Sequence, residues 1–371
     1  MKKMIAFCFM GIVGFTFNSC KNDLDSLAPY TESIAVYSLI DQSDTANYVR
    51  VNRVFLGEGD ANQIAQIKDS VYFKPGEASV YIEKYWNEIK RQTYIFSETY
   101  EKPLEPGVFN INQLIYKSKQ KFKSDSSGKF FEYKLVVKNN LSGKIYNSKN
   151  IKLVKDVNMT NPSASLCTPI ISDCFFTTFR NVTIPISTQT KIFFASPQNA
   201  RICDLKLNFF YQDIFLDNSQ SSQKFEYSLS SKNTSTTTGG ENMDFSFVGS
   251  SFYLTLANTL TNPANLKERV ADSINFVFTF AGEEYLFYKE INNTSGAFGQ
   301  EKPIYTNMEN DAIGLFSSRL KYTLNKNMWN CSGPINQFNV MSNVTRDNLT
   351  TYSVVCHLRF RGPGCATNGG C

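Results

Sequence analysis

Histidine is almost missing from this chain: His357 is the only one in 371 residues. That count removes any zinc site built from two or three imidazoles, and an H-E-x-x-H helix with it. A Ser–His–acid triad would have to use His357, which lies between Cys356 and Leu358 in an expected strand, and no G-x-S-x-G elbow accompanies it. Cys-x-x-Cys spacing is absent too, which argues against a thiolate zinc or redox pair. The P-loop and G-x-G-x-x-G patterns do not occur either; Gly57-Glu58-Gly59-Asp60 carries the remainder of neither. No D-x-[DN]-x-[DN]-G loop is present, so an EF-hand-like calcium site is excluded. No cofactor is implied. Tryptophan occurs only twice, against 31 phenylalanines and 19 tyrosines. Phenylalanine and tyrosine favour pleated, half-buried surfaces, so the bias predicts a mainly β fold.

What is present begins at the N-terminus. Lys2 and Lys3 precede an uncharged apolar run from Met4 to Phe17, too short for the roughly 20 apolar residues of a membrane-spanning helix. A basic start, a short apolar core and a small residue before a cut site make a secretory signal. Phe17-Asn18-Ser19-Cys20 resembles a bacterial lipobox, which implies removal of residues 1–19 and a lipid on Cys20. Residues 20–30 open with Lys21-Asn22-Asp23-Leu24-Asp25-Ser26, a polar leader expected to serve as a tether. The expected place is therefore the outer membrane, on its periplasmic or cell-surface side, held through the lipid. The whole chain carries 38 − 33 = +5 charges; without Lys2 and Lys3 this becomes 36 − 33 = +3. So mild an excess does not argue for nucleic acid.

Of nine cysteines, Cys8 leaves with the signal and Cys20 takes the lipid. Seven remain: Cys167, Cys174, Cys203, Cys331, Cys356, Cys365 and Cys371. An exported chain meets an oxidising compartment, and Cys167 with Cys174 and Cys365 with Cys371 would close short loops. The odd number leaves at least one thiol outside any internal pair.

The 352 residues after the signal exceed one ordinary core, so two domains are expected. Residues 31–157 read as an Ig-like β-sandwich. Ile34, Val36 and Ser38 alternate with Ala35, Tyr37 and Leu39; Val49 and Val51 alternate with Arg50 and Asn52. From Lys129 to Asn139, Phe131, Tyr133, Leu135 and Val137 face one way, and Asn139-Asn140-Leu141-Ser142-Gly143 turns the chain towards a partner strand. A short helix is expected between Asp60 and Asp69. A linker at 158–167 precedes a second β-rich domain at 168–325 with a few short helices. Strands are expected at Val182–Ser187, Cys203–Phe215, Ser222–Ser230, Ser273–Phe280 and Gly314–Leu324, and an exposed Ser/Thr/Gly loop at 231–240. Val248, Phe252, Leu256 and Leu260 recur at helical spacing, and Glu283–Asn292 predicts a second short helix. Residues 326–371 read as an irregular, cysteine-rich tail.

Two local features bear on chemistry. Acids such as Glu283 with Glu284, or Glu309 with Asp311, could supply a glycosidase pair if the fold set them facing one another. In Lys117-Ser118-Lys119-Gln120-Lys121-Phe122-Lys123 the lysines alternate, so a strand would put four ammonium groups on one face. That face would bind acidic polysaccharide or lipid head groups; the plainer reading, a solvated edge strand whose lysines prevent edge-to-edge pairing, is favoured. Aromatic positions are not interleaved there, as nucleic acid would require.

Pro303-Ile304-Tyr305-Thr306-Asn307-Met308-Glu309-Asn310 runs into Gly314-Leu315-Phe316-Ser317-Ser318-Arg319, a polar loop feeding a strand in which Gly314 permits a close approach or bulge. This segment resembles the form "tNIenGlGiFss" found late in the domain of unknown function 4249 family of Bacteroidota outer-membrane lipoproteins, with Asp311-Ala312 here where that family usually has glycine. Ser33-Ile34-Ala35-Val36-Tyr37 and Gly107-Val108-Phe109 fit the same pattern, and the resemblance spans roughly residues 20–325. It implies an envelope lipoprotein with an Ig-like N-terminal part, in some members encoded beside an outer-membrane transporter, and it transfers no catalytic residue. The expectation is a non-enzymatic binding or accessory component whose partners are the membrane and an outer-membrane β-barrel protein. A structural or adhesive protein engaging anionic polymer is the alternative, and a carboxylate-based glycoside hydrolase comes third.

Overall fold

The computed structural model describes residues 32–54, 71–100, 113–126, 129–157, 184, 186–187, 189–293, 304–327 and 348–360. The expected helix at Asp60–Asp69, Cys20 with its tether, the linker, and Cys167, Cys174, Cys365 and Cys371 lie outside the described residues. Within them the protein is mainly β, as the aromatic and alternating sequence predicts.

The first ten strands are β1 (Ser33–Asp41), β2 (Asn47–Val54), β3 (Ala78–Trp86), β4 (Ile89–Thr99) and β5 (Ile115–Ser118), followed by β6 (Asp125–Ser126), β7 (Lys129–Phe130), β8 (Glu132–Asn139), β9 (Ile145–Asn147) and β10 (Ile151–Lys152). Alternation decides their faces. Ile34 and Val36 of β1, Val49 and Val51 of β2, and Tyr133, Leu135 and Val137 of β8 are all buried in one core. Asn87 and Glu88 both take positive φ, the backbone that a two-residue hairpin between β3 and β4 demands. Gly143, at φ 75°, closes the predicted turn after β8, its N–H donating to Asn139 O over 2.9 Å.

The rest comprises β11 (Gln189–Ala195), β12 (Ile202–Phe215), β13 (Gln220–Ser228), β14 (Lys232–Asn233), β15 (Asn242–Val248), α1 (Gly249–Thr259), β16 (Leu266–Ala281), α2 (Glu283–Asn293) and β17 (Ala312–Asn327). Both helices fall where periodicity predicts them. The β11–β15 pair and α1 cover one face of the β13–β12–β16–β17 sheet, and the enclosed core is aromatic. Phe194 meets Phe278 and Phe280 edge-on at 5.6 and 5.5 Å, and Phe252 stands over Phe209 and Phe225 at 6.2 and 5.7 Å. Such ring contacts add about 0.5–1.5 kcal/mol each beyond area burial.

β17 joins the two cores. Its first half runs parallel to β1, Ile34 beside Ala312 through Asp41 beside Arg319; its second half runs antiparallel to β16. The result is one sheet in the order β10-β8-β3-β4-β5-β2-β1-β17-β16-β12-β13. The end of the expected second domain thus also completes the first core, where Met308, Ala312 and Phe316 are buried.

The 306–318 segment has a structural job at almost every position. Asn307, 2 % exposed, acts as a surrogate strand: its Nδ2 donates to Phe316 O over 2.6 Å and its Oδ1 accepts from Phe316 N at 2.9 Å. Met308 bridges Ser148, tying the segment to the far edge of the first lobe. Asn310 and Asp311 form a tight turn with φ of 60° and 63°, and Asp311 is itself one of the two positions where the sequence departs from a glycine-bearing pattern. Gly314, at φ 124°, lies so close to β1 that a Cβ would stand 1.9 Å from Val36 O. Ser318 Oγ donates to Lys152 O over 3.0 Å and accepts from Val154 N.

Two expectations change. The lysine-rich stretch is a strand only to Ser118; beyond it Lys119, Gln120 and Lys121 are all exposed, and Phe122 is buried against Tyr94 at 4.4 Å and Tyr133 at 5.7 Å. The described part of the tail, 348–360, is not irregular throughout: residues 348–351 are helical, 356–358 form a 3₁₀ turn, and Leu349, Val355, Leu358 and Phe360 belong to the second core. It is fastened through Arg269, 1 % exposed, which donates to Leu358 O over 2.9 Å and to Asp213 Oδ1 over 2.7 Å. His357 sits there exposed in a 3₁₀ turn (Cys356–Leu358), not in a strand.

Candidate functional site

Both cores lie on one side of the shared sheet, and the stretch of its other face between the lobes is largely polar. In-register partners carry the face from strand to strand: Lys117 of β5 opposite Tyr48 of β2, Arg50 of β2 opposite Tyr37 of β1, and Asp41 of β1 opposite Arg319 of β17. Lys321 of β17 then lies opposite Thr279 of β16, and Asn208 of β12 opposite Glu226 of β13. A groove of about 530 Å³ opens on this face between the two lobes. β12, β13, β16 and β17 form its floor, and the 44–46 loop and Tyr48 form its wall.

The wall is held in place. Asp41, fully buried, accepts Ser43 N at 2.9 Å and Lys321 N at 3.1 Å, while Asn47 Oδ1 accepts Asp41 N at 2.7 Å and Asn47 Nδ2 donates back to Asp41 O. Arg319 reaches Asp44 at 2.9 Å and Asp41 at 3.6 Å. On the floor Glu226 takes Lys206 at 2.7 Å and Lys224 at 3.6 Å. The Lys206 hydrogen bond, outweighing partial burial, holds the Glu226 carboxyl below its ordinary range. Apart from Arg319–Asp41, whose carboxylate is buried, these pairs are a third to a half exposed, so each contributes only about 0–1 kcal/mol and can exchange partners. Among the described residues no carboxylate lies within ion-pair distance of Lys321. One polar atom in the lining, Asn208 Oδ1, is buried without a hydrogen-bond partner, a state that costs free energy unless something supplies one; Arg319 Nε has only the Asp41 carboxylate at 3.6 Å.

The helix α2 closes one end of the face. Leu286 packs on Ile202 and Ala281, Glu283 pairs with Arg201, and Lys289 lies 3.1 Å from Asp204. Glu284 turns inward, accepting Ser317 Oγ at 2.9 Å, and burial pushes its pKa up. Glu283 and Glu284 therefore serve different partners rather than facing each other. Glu309 and Asp311 are exposed in the β17 turn, where Asp311 meets Lys144 at 2.9 Å.

The four sequence-singled lysines separate. Lys117 and Lys119 line a second open groove of about 490 Å³ beside Ile95 and Glu98, and Lys117 Nζ also lies 5.8 Å from the centre of the Tyr48 ring. Lys121 is exposed elsewhere, and Lys123 adds to the burial that lowers the pKa of Lys84, whose ammonium sits 3.5 Å over Phe131. Sequence reading missed Lys206, Lys224, Arg319 and Lys321. Their signal was the outward half of each alternation, which reads as ordinary solvated surface.

Among the described residues no cluster of three or more His, Cys, Asp or Glu is placed to hold a metal, and no helix is long and apolar enough to cross a membrane. The chain matches no model of a known protein family and no curated protein. Fold and face together define a two-lobed β protein with a polar groove on a shared sheet.

Proposed function

We propose that this protein is a lipid-anchored component of the outer-membrane envelope that captures a ligand in the inter-lobe groove, without catalysis, as an accessory to a β-barrel transporter. The first lobe is its Ig-like part. The observation that carries the reading is the groove itself: a broad, polar recess with a fixed wall, exchangeable surface ion pairs, and a buried amide oxygen, Asn208 Oδ1, without a hydrogen-bond partner. Such a surface suits reversible binding. The lipobox-like Phe17-Asn18-Ser19-Cys20 supports the anchor.

The test has two parts. Cys20→Ala should remove the mass of the lipid and leave residues 1–19 attached; an unchanged mass rejects the anchor. Thr279→Trp places an indole on the groove floor. A ligand that raises the melting temperature of the wild-type protein should lose that effect in the variant, and an unaltered response rejects the groove as the site.

A further inference from the structure

The chemistry of the groove indicates what it would hold. Along the polar face stand Arg50, Lys117, Lys206, Lys224, Arg319 and Lys321, six cations against the three carboxylates Asp41, Asp44 and Glu226. The difference, 6 − 3 = +3, equals the whole net charge of the chain after removal of residues 1–19. An approaching anion therefore meets net positive charge on this face.

We propose, building on the binding role above, that the groove takes an acidic polysaccharide laid across the strands from β13 towards β5. From β13 to β5 the sheet takes six inter-strand steps, about 29 Å at ~4.8 Å each, a path suited to an extended chain rather than one small anion. Cations recur along that path and neutral partners stand between them: Thr279, Thr45 and the orphan acceptor Asn208 Oδ1 for hydroxyl groups, and the Tyr48 ring for the apolar face of a sugar. The second groove, which Lys117 lines, continues the track past Tyr48 to β4. A flat array of lipid head groups fits less well, because the 44–46 loop stands as a wall over the floor. Nucleic acid would want several stacking rings, and the groove offers one.

The experiment measures binding of full-length protein in detergent to polygalacturonate, to neutral dextran, to phosphatidylglycerol vesicles and to single-stranded DNA. Polygalacturonate should bind, and should weaken markedly between about 0.05 M and about 0.3 M salt. Lys206→Gln with Lys321→Gln should lower that affinity about tenfold, each single change about threefold, with melting temperature unmoved because both side chains are exposed. Lys138→Gln, on exposed β8 surface away from the groove, should change nothing. Equal binding of dextran that Thr279→Trp abolishes would overturn the acidic class while leaving the groove as a binding site. Polymer binding that survives Thr279→Trp would overturn both. Preference for vesicles or DNA over polygalacturonate, or indifference to the two glutamines, also overturns the proposal.

Discussion

Replacing Gly314 by alanine sets two costs on one carbon atom. The residue holds φ at 124°, which costs an L-residue about 1–2 kcal/mol. The new Cβ would also lie 1.9 Å from Val36 O, 2.8 Å from its carbonyl carbon and 2.9 Å from its nitrogen. Carbon and oxygen rest at about 3.3 Å or more, so β1 and β17 must part by over an ångström. The obstacle is backbone on both sides and cannot rotate away. Parting them weakens one or two ladder hydrogen bonds at about 1 kcal/mol each and loosens Phe316 in the first core. The sum is about 3–5 kcal/mol, at the high end for any point change. Urea unfolding of the purified mature chain should show it: with a slope near 3 kcal/mol per molar, the midpoint falls by about 1–1.7 M. Gly76→Ala separates the two costs. Gly76 has φ 83° but nothing within 4 Å of the place a Cβ would occupy, so only the backbone cost of about 1 kcal/mol applies. If Gly314→Ala and Gly76→Ala shift the midpoint equally, the close approach of β1 to β17 is not what Gly314 serves.

Asp213→Ala strands the buried Arg269 guanidinium and should cost about 3–5 kcal/mol. The 348–360 segment, fastened by the same arginine, should become sensitive to limited proteolysis; unchanged cleavage would show that the segment stays fastened without the Asp213–Arg269 ion pair. Glu284 gives a pH signature. Burial raises its folded pKa above the ordinary 4.5, so in the window just above that value the folded protein binds more protons than the unfolded chain. Stability contributed there is full below about 4.5 and is lost as pH rises towards the folded pKa. Glu284→Gln should remove that loss while keeping an acceptor for Ser317 Oγ, which makes the variant the more stable at neutral pH. A wild-type-minus-variant stability difference that rises with pH through this window would contradict the burial argument.

Much of the fold was legible because it is local. Alternation placed Ile34, Val36, Tyr133 and Leu135 inward; four-residue spacing placed α1; Asn139 to Gly143 announced its turn. The reading failed where a non-local packing demand overrode the pattern. The lysine run was read as one strand, but pairing ends at Ser118 and Lys119, Gln120 and Lys121 are all exposed beyond it, so the four lysines never share a strand. The tail shows no period, yet Leu358 and Phe360 find a core through Arg269, whose partners lie far away in sequence. The groove was illegible for a similar reason: Lys206, Lys224, Arg319 and Lys321 each look like solvated strand surface.

The sequence alone therefore determined a β protein with its inward faces, its two short helices and its likeness to a lipid-anchored precursor. These depend on periodicity, turn chemistry and a short linear motif, all of which act over a few residues. Tertiary structure alone decided that β17 belongs to both lobes and that the outward residues of seven strands make one face. Strand pairing is satisfied by any partner with matching alternation, so nothing near residue 314 names residue 36 as its neighbour. Only the complete fold, with Gly314 pressed against Val36, makes that choice.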